Sequence, residues 1–334
     1  MKPLELKLQG AGACSAAGDL AASIGALDPQ AAALGPQLLD AFDCCGDAVA
    51  ALPAAVCEAL PLAFMPRAQA LLAAAAQDLS QRCGVALAQL GAERLFIIAP
   101  ESAPQGPAEL KQAWLNLQPP MSAHALSRQA QRISVHAEVA EGLAAAAVFL
   151  GAAGSQAHAL VLACESWLSH DALARLDDID ELRSASSDGV LPGEAAVLLR
   201  LGSAGLPLRC LAPVETEARS GNARPLGTAI SEAVLQLQVA EDARFIVRDL
   251  HAGQRAFVRE AEFLRRRHWP ALAPDAHAWR DVSALGYLGR AAPLLQMALL
   301  AELPPAQTPA LAYARSLWRG SLVLHRASSH VRAA

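Results

Sequence analysis

Strands and helices that alternate through both halves of the chain predict an α/β fold with helices covering the sheet. Two further observations agree. Aromatic residues make up 4% of the 334 residues while hydrophobic ones make up 54%, so Ala, Leu and Val fill the core and helices can sit close to a sheet. The Ala-rich stretch 138–150 has little polar surface, as a helix buried between layers does.

The elements follow in order. Leu4–Ala13 alternates and runs into the small-residue loop GAGACSAAG, as a strand end does. Residues 28–60 are rich in Pro, Ala and Gly and read as irregular or weakly helical. Pro66–Gly84 is a helix, with proline at its start, apolar spacings of three and four, and glycine after its end. Arg94–Ser102 is a buried strand leaving into a loop, and the polar, proline-bearing 103–131 leaves room for a short helix. A strand end before Ala137, a helix from Glu138 to Leu150, a glycine stop and a strand Ala159–Cys164 come next. Ser186–Leu201, SSDGVLPGEAAVLLRL, is a turn followed by a core strand, Ala195–Leu201, in which Ala195 and Ala196 leave room for a neighbouring backbone. The second half repeats the theme: strand 207–213, helix Leu226–Leu237, the strand RFIVRDL, helix Val258–Arg267, an apolar helix over 291–301, and the glycine-split hairpin SLWRGSLVLHRA. The pattern divides the chain into halves at 1–203 and 204–334.

Composition narrows the function. A net charge of −5 and a pI near 6.0 give no general pull toward nucleic acid. The longest apolar run, near 143–154, is shorter than the roughly 20 residues of a membrane span, and the N-terminus carries no signal-type segment, so a cytoplasmic location is expected. Seven cysteines (Cys14, Cys44, Cys45, Cys57, Cys83, Cys164, Cys210) form no CxxC pair and read as reduced core thiols. Neither they nor His325 and His330 are spaced as metal ligands, and no metal or cofactor is expected.

The run Asp188-Gly189-Val190-Leu191-Pro192-Gly193-Glu194-Ala195-Ala196 resembles the Asp-Gly-Phe-x-Pro-Gly-Glu-Gly-Ala signature of the β-ketoacyl-acyl-carrier-protein synthases, of the thiolase-like superfamily. LVLACESWLSHDALARLDD is similar to that family's strand ending in a Glu/Asp-Ser turn, and AAPLLQMALLAEL to the helix after its last active-site turn. The resemblance spans roughly residues 4–325. It implies five layers, αβαβα, built from two pseudo-repeated halves and assembled as a homo- or heterodimer.

It also implies where chemistry belongs. The family holds a nucleophilic cysteine at the N-terminus of a buried helix and uses two histidines against the developing oxyanion. Counting back from Glu165 without gaps, the nucleophile position falls on Ala137, flanked by His136 and Glu138. The first histidine matches His251, with Glu262 as the following acid, although Ala252-Gly253-Gln254 replaces the usual Gly-Thr-x-Thr. The second histidine is replaced by Tyr287, and Arg290 stands where the family prefers a small residue. Tyrosine, with a pKa of about 10, is a poor proton shuttle near neutrality.

The expected function is therefore a non-condensing, chain-length-factor-like partner of an active ketosynthase. The alternatives are a divergent synthase, acyltransferase or malonyl decarboxylase using His251 and Tyr287, and a non-catalytic acyl-binding homodimer. Arg259, Arg265, Arg266 and Arg267 read either as a solvated helix end or as a docking patch for an acidic acyl carrier protein.

Overall fold

Ten strands lie in two sets of five with the same internal order. A computed structural model describes residues 3–27, 37–51, 60, 62–120, 122–179, 181–184, 189–211, 236, 244–248, 280–281, 285–303, 310–315 and 321–326. The first set is β1 (Leu4–Ser15), β5 (Arg94–Ile98), β6 (Ile133–His136), β7 (His158–Ser166) and β8 (Glu194–Gly202). The second is β9 (Leu206–Leu211), β10 (Arg244–Arg248), β11 (Arg280–Asp281), β12 (Ala310–Arg315) and β13 (Ser321–Arg326). Across the sheet they run β11-β10-β12-β13-β9-β1-β8-β7-β5-β6. Counted from its own first strand, each set has the order third, second, fourth, fifth, first. In each, the fifth strand is antiparallel to both neighbours and the rest are parallel where they pair. The short β2 (Gly18–Asp19) pairs with the end of β1.

β1 joins the sets. Leu4–Leu8 pairs with β9, the register shifts between Leu8 and Gly10, and the remainder pairs with β8. Such an irregularity bends a strand.

Helices cover the first set on both faces. Helix α2 (Phe64–Cys83) buries Ala68, Leu71, Leu72, Ala75, Ala76 and Leu79, ends on Gly84 in the left-handed conformation, and packs on β1, β7 and β8. A Cβ at Gly12 of β1 would stand 2.3 Å from Leu79 N and 2.4 Å from Ala75 O, so the helix rests directly on the strand's backbone. Short α1 (Leu20–Ala26) starts at Asp19, whose side chain accepts from Ala22 N–H. The buried Asp78 of α2 accepts from Ala13 N–H and Leu20 N–H, which ties the β1–α1 turn to the helix. Short α3 (Leu87–Ala92) leads into β5, and α4 (Gly106–Asn116) packs beside α2.

Helices α6 (Val139–Ala153) and α8 (Ala291–Glu302) cover the opposite face. α8 packs on β1, β7 and β8 and also on β10, β12 and β13, so it lies between the two sets, and Ala291–Leu300 is buried without a break. This explains a helix that is apolar all round. At its C-terminal end Arg326 of β13 donates to the carbonyls of Leu300 (2.6 Å), Ala301 (3.1 Å) and Leu303 (2.7 Å), which have no partner inside the helix. The layers so described are helix, sheet, helix, sheet. The fifth, expected from helices at 226–237 and 258–267, lies outside the described residues.

Several sequence expectations are corrected. Within 28–60 there is a hairpin, β3 (Gln37–Phe42) with β4 (Ala48–Ala51), because Asp43 closes a turn by accepting from Cys45 N–H and Asp47 N–H. The region 103–131 holds two helices, α4 and α5 (Ala123–Ala130), the first with proline in its first turn and the second capped by Ser122. The final hairpin pairs β13 with β12, upstream of the Ser316–Trp318 segment expected. Cys14, Cys164 and Cys210 are buried as expected, but Cys44 and Cys45 are exposed, because they sit at the hairpin turn and not in a core strand. No helix among the described residues is long and apolar enough to cross a membrane.

Candidate functional site

The C-terminal ends of β5, β6 and β7 meet the start of antiparallel β8 and the turn Leu285–Arg290 that opens α8. The Pro-Gly-Glu run explains why they meet here. Tyr287 N–H donates to Leu191 O (2.7 Å) and Trp167 N–H to Gly193 O (3.0 Å), while Pro192 and Tyr287 form an isolated bridge. A Cβ on Gly193 would lie 2.5 Å from Leu285 O, so only glycine lets the turn lie this close. Glu194 then takes a bidentate contact from Arg67 of α2, with Nε at 2.9 Å and Nη2 at 3.1 Å, and both side chains are buried. Gly189 is buried beside Glu181 and Leu182, whereas Asp188 lies outside the described residues.

A buried polar chain continues from Glu194. Ser166 Oγ donates to Glu194 Oε2 (2.6 Å), and Ser166 N–H donates to Ser102 Oγ (3.1 Å). Glu165, on the opposite side of β7 from Ser166, accepts from Glu101 N–H (2.8 Å), Ser102 N–H (2.9 Å), Ser102 Oγ (2.6 Å) and Arg290 N–H (3.2 Å). Burial pushes its carboxyl above the usual glutamate range, and the hydrogen bonds from Ser102 and Glu101 and the Arg290 charge oppose that shift.

Two cations sit over this chain. Arg290 Nη1 donates to Ala99 O (2.8 Å), Nη2 to Glu138 Oε1 (3.1 Å), and Nε lies 3.5 Å from Glu101 Oε1. Arg175 of α7 (His170–Asp177) donates to Glu101 O. Tyr287 Oη donates to Glu101 Oε2 (2.8 Å), its ring meets Trp167 at 4.9 Å between centroids, and its side chain is 1% exposed.

The residues singled out from the sequence divide accordingly. Ala137 links β6 to α6 and is exposed, and Glu138 is the N-cap of α6 with no side-chain cap bond, turned instead to Arg290. His136 ends β6, stacks on Phe96 at 5.7 Å and lies 3.1 Å from Ser134 Oγ. Burial holds its pKa below the usual imidazole value. Glu138 and Tyr287 are therefore joined through Arg290 and Glu101. His251, Glu262, Arg259, Arg265, Arg266 and Arg267 lie outside the described residues. Sequence reading missed Glu101, Ser102 and Arg67, which nothing local marks, and it saw in Arg290 only a large residue where the family prefers a small one. Arg290 reaches away from the turn and bridges β5, α6 and α8. No cluster of three or more His, Cys, Asp or Glu suited to a metal occurs among the described residues.

The doubled strand order, with a helical layer between the sets, is the thiolase-like fold of the β-ketoacyl synthases. Particular solved structures share it along nearly their whole length. The chain is similar to the ketosynthase ApeO in complex with its chain length factor ApeC from Xenorhabdus doucetiae, with a TM-score of 0.63 and 14% identity over 96% of this chain and 98% of that one. It is also similar to the ishigamide ketosynthase/chain length factor (TM-score 0.61, 18% identity, 97% and 99% covered). A β-ketoacyl synthase from Burkholderia phymatum STM815 gives a TM-score of 0.58 at 14% identity, with 98% and 100% covered. No family model and no curated protein matches the sequence.

Proposed function

We propose that the chain is a non-condensing ketosynthase-like subunit of the chain-length-factor kind, built from halves 1–203 and 204–334, that works as the dimer partner of a cysteine-bearing ketosynthase. The observation that carries this reading is Ala137, the residue at the entrance to α6 where the resemblance puts the nucleophile, because a methyl group takes up no acyl chain. Tyr287 supports it, since a buried hydroxyl already donating to Glu101 is poorly placed to assist decarboxylation.

A surface suited to a subunit partner supports it too. Among the described residues β6 is the last strand of the sheet, and Val135 on it is 44% exposed. Beside it, α6 carries Glu141 as its one charged residue and leaves Val148 74% exposed. An apolar helix face next to an open strand edge is a surface for another chain.

The test is co-expression with a cysteine-bearing ketosynthase and its acyl carrier protein. The expected result is a stable heterodimer that makes product only when both subunits are present. A chain that stays monomeric beside every such partner, or that condenses acyl groups alone, overturns the reading.

A further inference from the structure

The strand that bounds the proposed partner surface ends on a histidine. Ser134 and His136 of β6 pair with Phe96 and Ile98 of β5 and share with them the α6 face of the sheet, whereas Val135 points to the other face. α6 packs chiefly on β5 and β7, which leaves His136 half-buried at the rim between that helix and the open strand edge.

Three contacts hold the imidazole there. Its ring stacks on Phe96, 5.7 Å between centroids with 29° between planes, and its Nε2 lies 3.1 Å from Ser134 Oγ. Gly142 brings α6 close, since a Cβ there would stand 2.3 Å from Ile98 Cδ1 and 3.6 Å from His136 Cβ. Phe96 meets Phe149 of α6 at 6.1 Å, so the inner side of the ring is apolar. Its hydration comes from the open edge.

Few charges face the ring. Burial holds its pKa below the usual imidazole value, Glu141 of α6 opposes that shift through charge alone, and Arg94 of β5 adds to it. A chain seated on β6 and α6 removes the water that remains. A neutral ring accommodates this, with Ser134 Oγ donating to Nε2. An imidazolium does not, because burying a charge without a close counter-charge is costly.

We propose that His136 makes the partner surface acid-sensitive: the neutral ring packs beneath the partner subunit, and the protonated ring opposes docking. This inference rests on the reading of β6 and α6 as the partner surface. The free chain binds the proton more readily than the assembled one, so acid favours the free chain. Association is at full strength above the free chain's pKa. It weakens as pH falls through that value, approaching about tenfold per pH unit while the assembled ring stays neutral.

The test is the dissociation constant of the full-length chain with a cysteine-bearing ketosynthase, measured by calorimetry between about pH 5 and 8. Native, His136→Gln and His136→Arg chains are compared, because Gln keeps a neutral polar group beside Ser134 and Arg carries a permanent charge. Native and His136→Gln chains should bind alike at the upper end. At the lower end the native chain should bind about threefold or more weakly than His136→Gln, and His136→Arg should bind weakly throughout, with circular dichroism unchanged. Parallel profiles for native and His136→Gln chains that both form the heterodimer overturn the role of His136 and leave the partner surface standing. So does a His136→Arg chain that docks as tightly as the native one. Absence of any heterodimer at the upper end overturns the partner surface and this inference together.

Discussion

Arg67 and Glu194 show how much a buried pair decides when its partners are 127 residues apart in sequence. The bidentate contact sits with both side chains within 1% of full burial, and Glu194 also serves Ser166. Removing one partner leaves the other charge without compensation, so Arg67→Ala should cost about 3–5 kcal/mol, read from the urea midpoint. A loss below about 1 kcal/mol, the range of an exposed ion pair, would show that Glu194 finds other support. Glu165 gives a prediction of a different kind. Its folded-state carboxyl is raised, chiefly by burial, so folding takes up a proton above the unfolded value of about 4.3. Its contribution is complete below that value and is lost as pH rises through the higher folded one. Midpoints measured between pH 4 and 8 should therefore fall with rising pH more steeply in the native chain than in Glu165→Gln, and parallel curves contradict the shift.

Glycine and alanine set the spacing between elements. A methyl group on Gly12 meets the backbone of α2 at Leu79 N, Ala75 O and Leu79 Cα, none of which can turn aside as a side chain does. Gly12→Ala should cost about 1–3 kcal/mol through displacement of α2, whereas Gly151→Ala, with open space at the same test position, should cost almost nothing. On α6 the exposed Val148 belongs to the face proposed for a partner, so Val148→Asp should leave the urea midpoint within about 0.5 kcal/mol of native and remove ketosynthase co-purification. Retention of the partner moves the interface off this helix. Most of these elements were legible in the sequence because period and punctuation agreed. The core strand 194–202 and helix 64–83 are bounded by glycine or proline, and their apolar spacings match one element type only. The β3–β4 hairpin was not legible, because its strands are short, the second is mostly alanine, and its turn depends on Asp43, a residue that signals a loop equally well. α5 was hidden by its length, since eight residues just after Pro119-Pro120 are too few to stand out from a loop.

At the scale of the whole molecule, the doubled strand order was foreshadowed by the repeating pattern of strands and helices, but the pairing that creates the site was not. Glu194 stands in the local Pro-Gly-Glu motif, while Ala137 and Tyr287 were assigned their positions by resemblance, Ala137 only by counting back from Glu165. Glu101, Ser102 and Arg67 could not be placed, since they reach the site only when β5, β7 and α2 are packed together. What they build is a joint. Arg290 ties the loop after β5 to the N-cap of α6, Tyr287 ties the turn before α8 to Glu101, and Glu165 gathers the backbone of both loops. An active condensing site needs a thiol and proton-donating groups that change partners during turnover, whereas Tyr287 and Arg290, on the proposed assignment the groups beside those positions, are already engaged in holding loops together. On the proposed assignment of position 137, a thiol introduced there alone should therefore be insufficient. Ala137→Cys should be alkylated readily, because position 137 is exposed, yet should form no condensation product with acyl- and malonyl-carrier protein above the native background. Acylation of the new cysteine without carbon–carbon bond formation fits the joint. Turnover by Ala137→Cys alone would show that Tyr287 and Arg290 leave the chemistry free to proceed, and would overturn the part given to the joint.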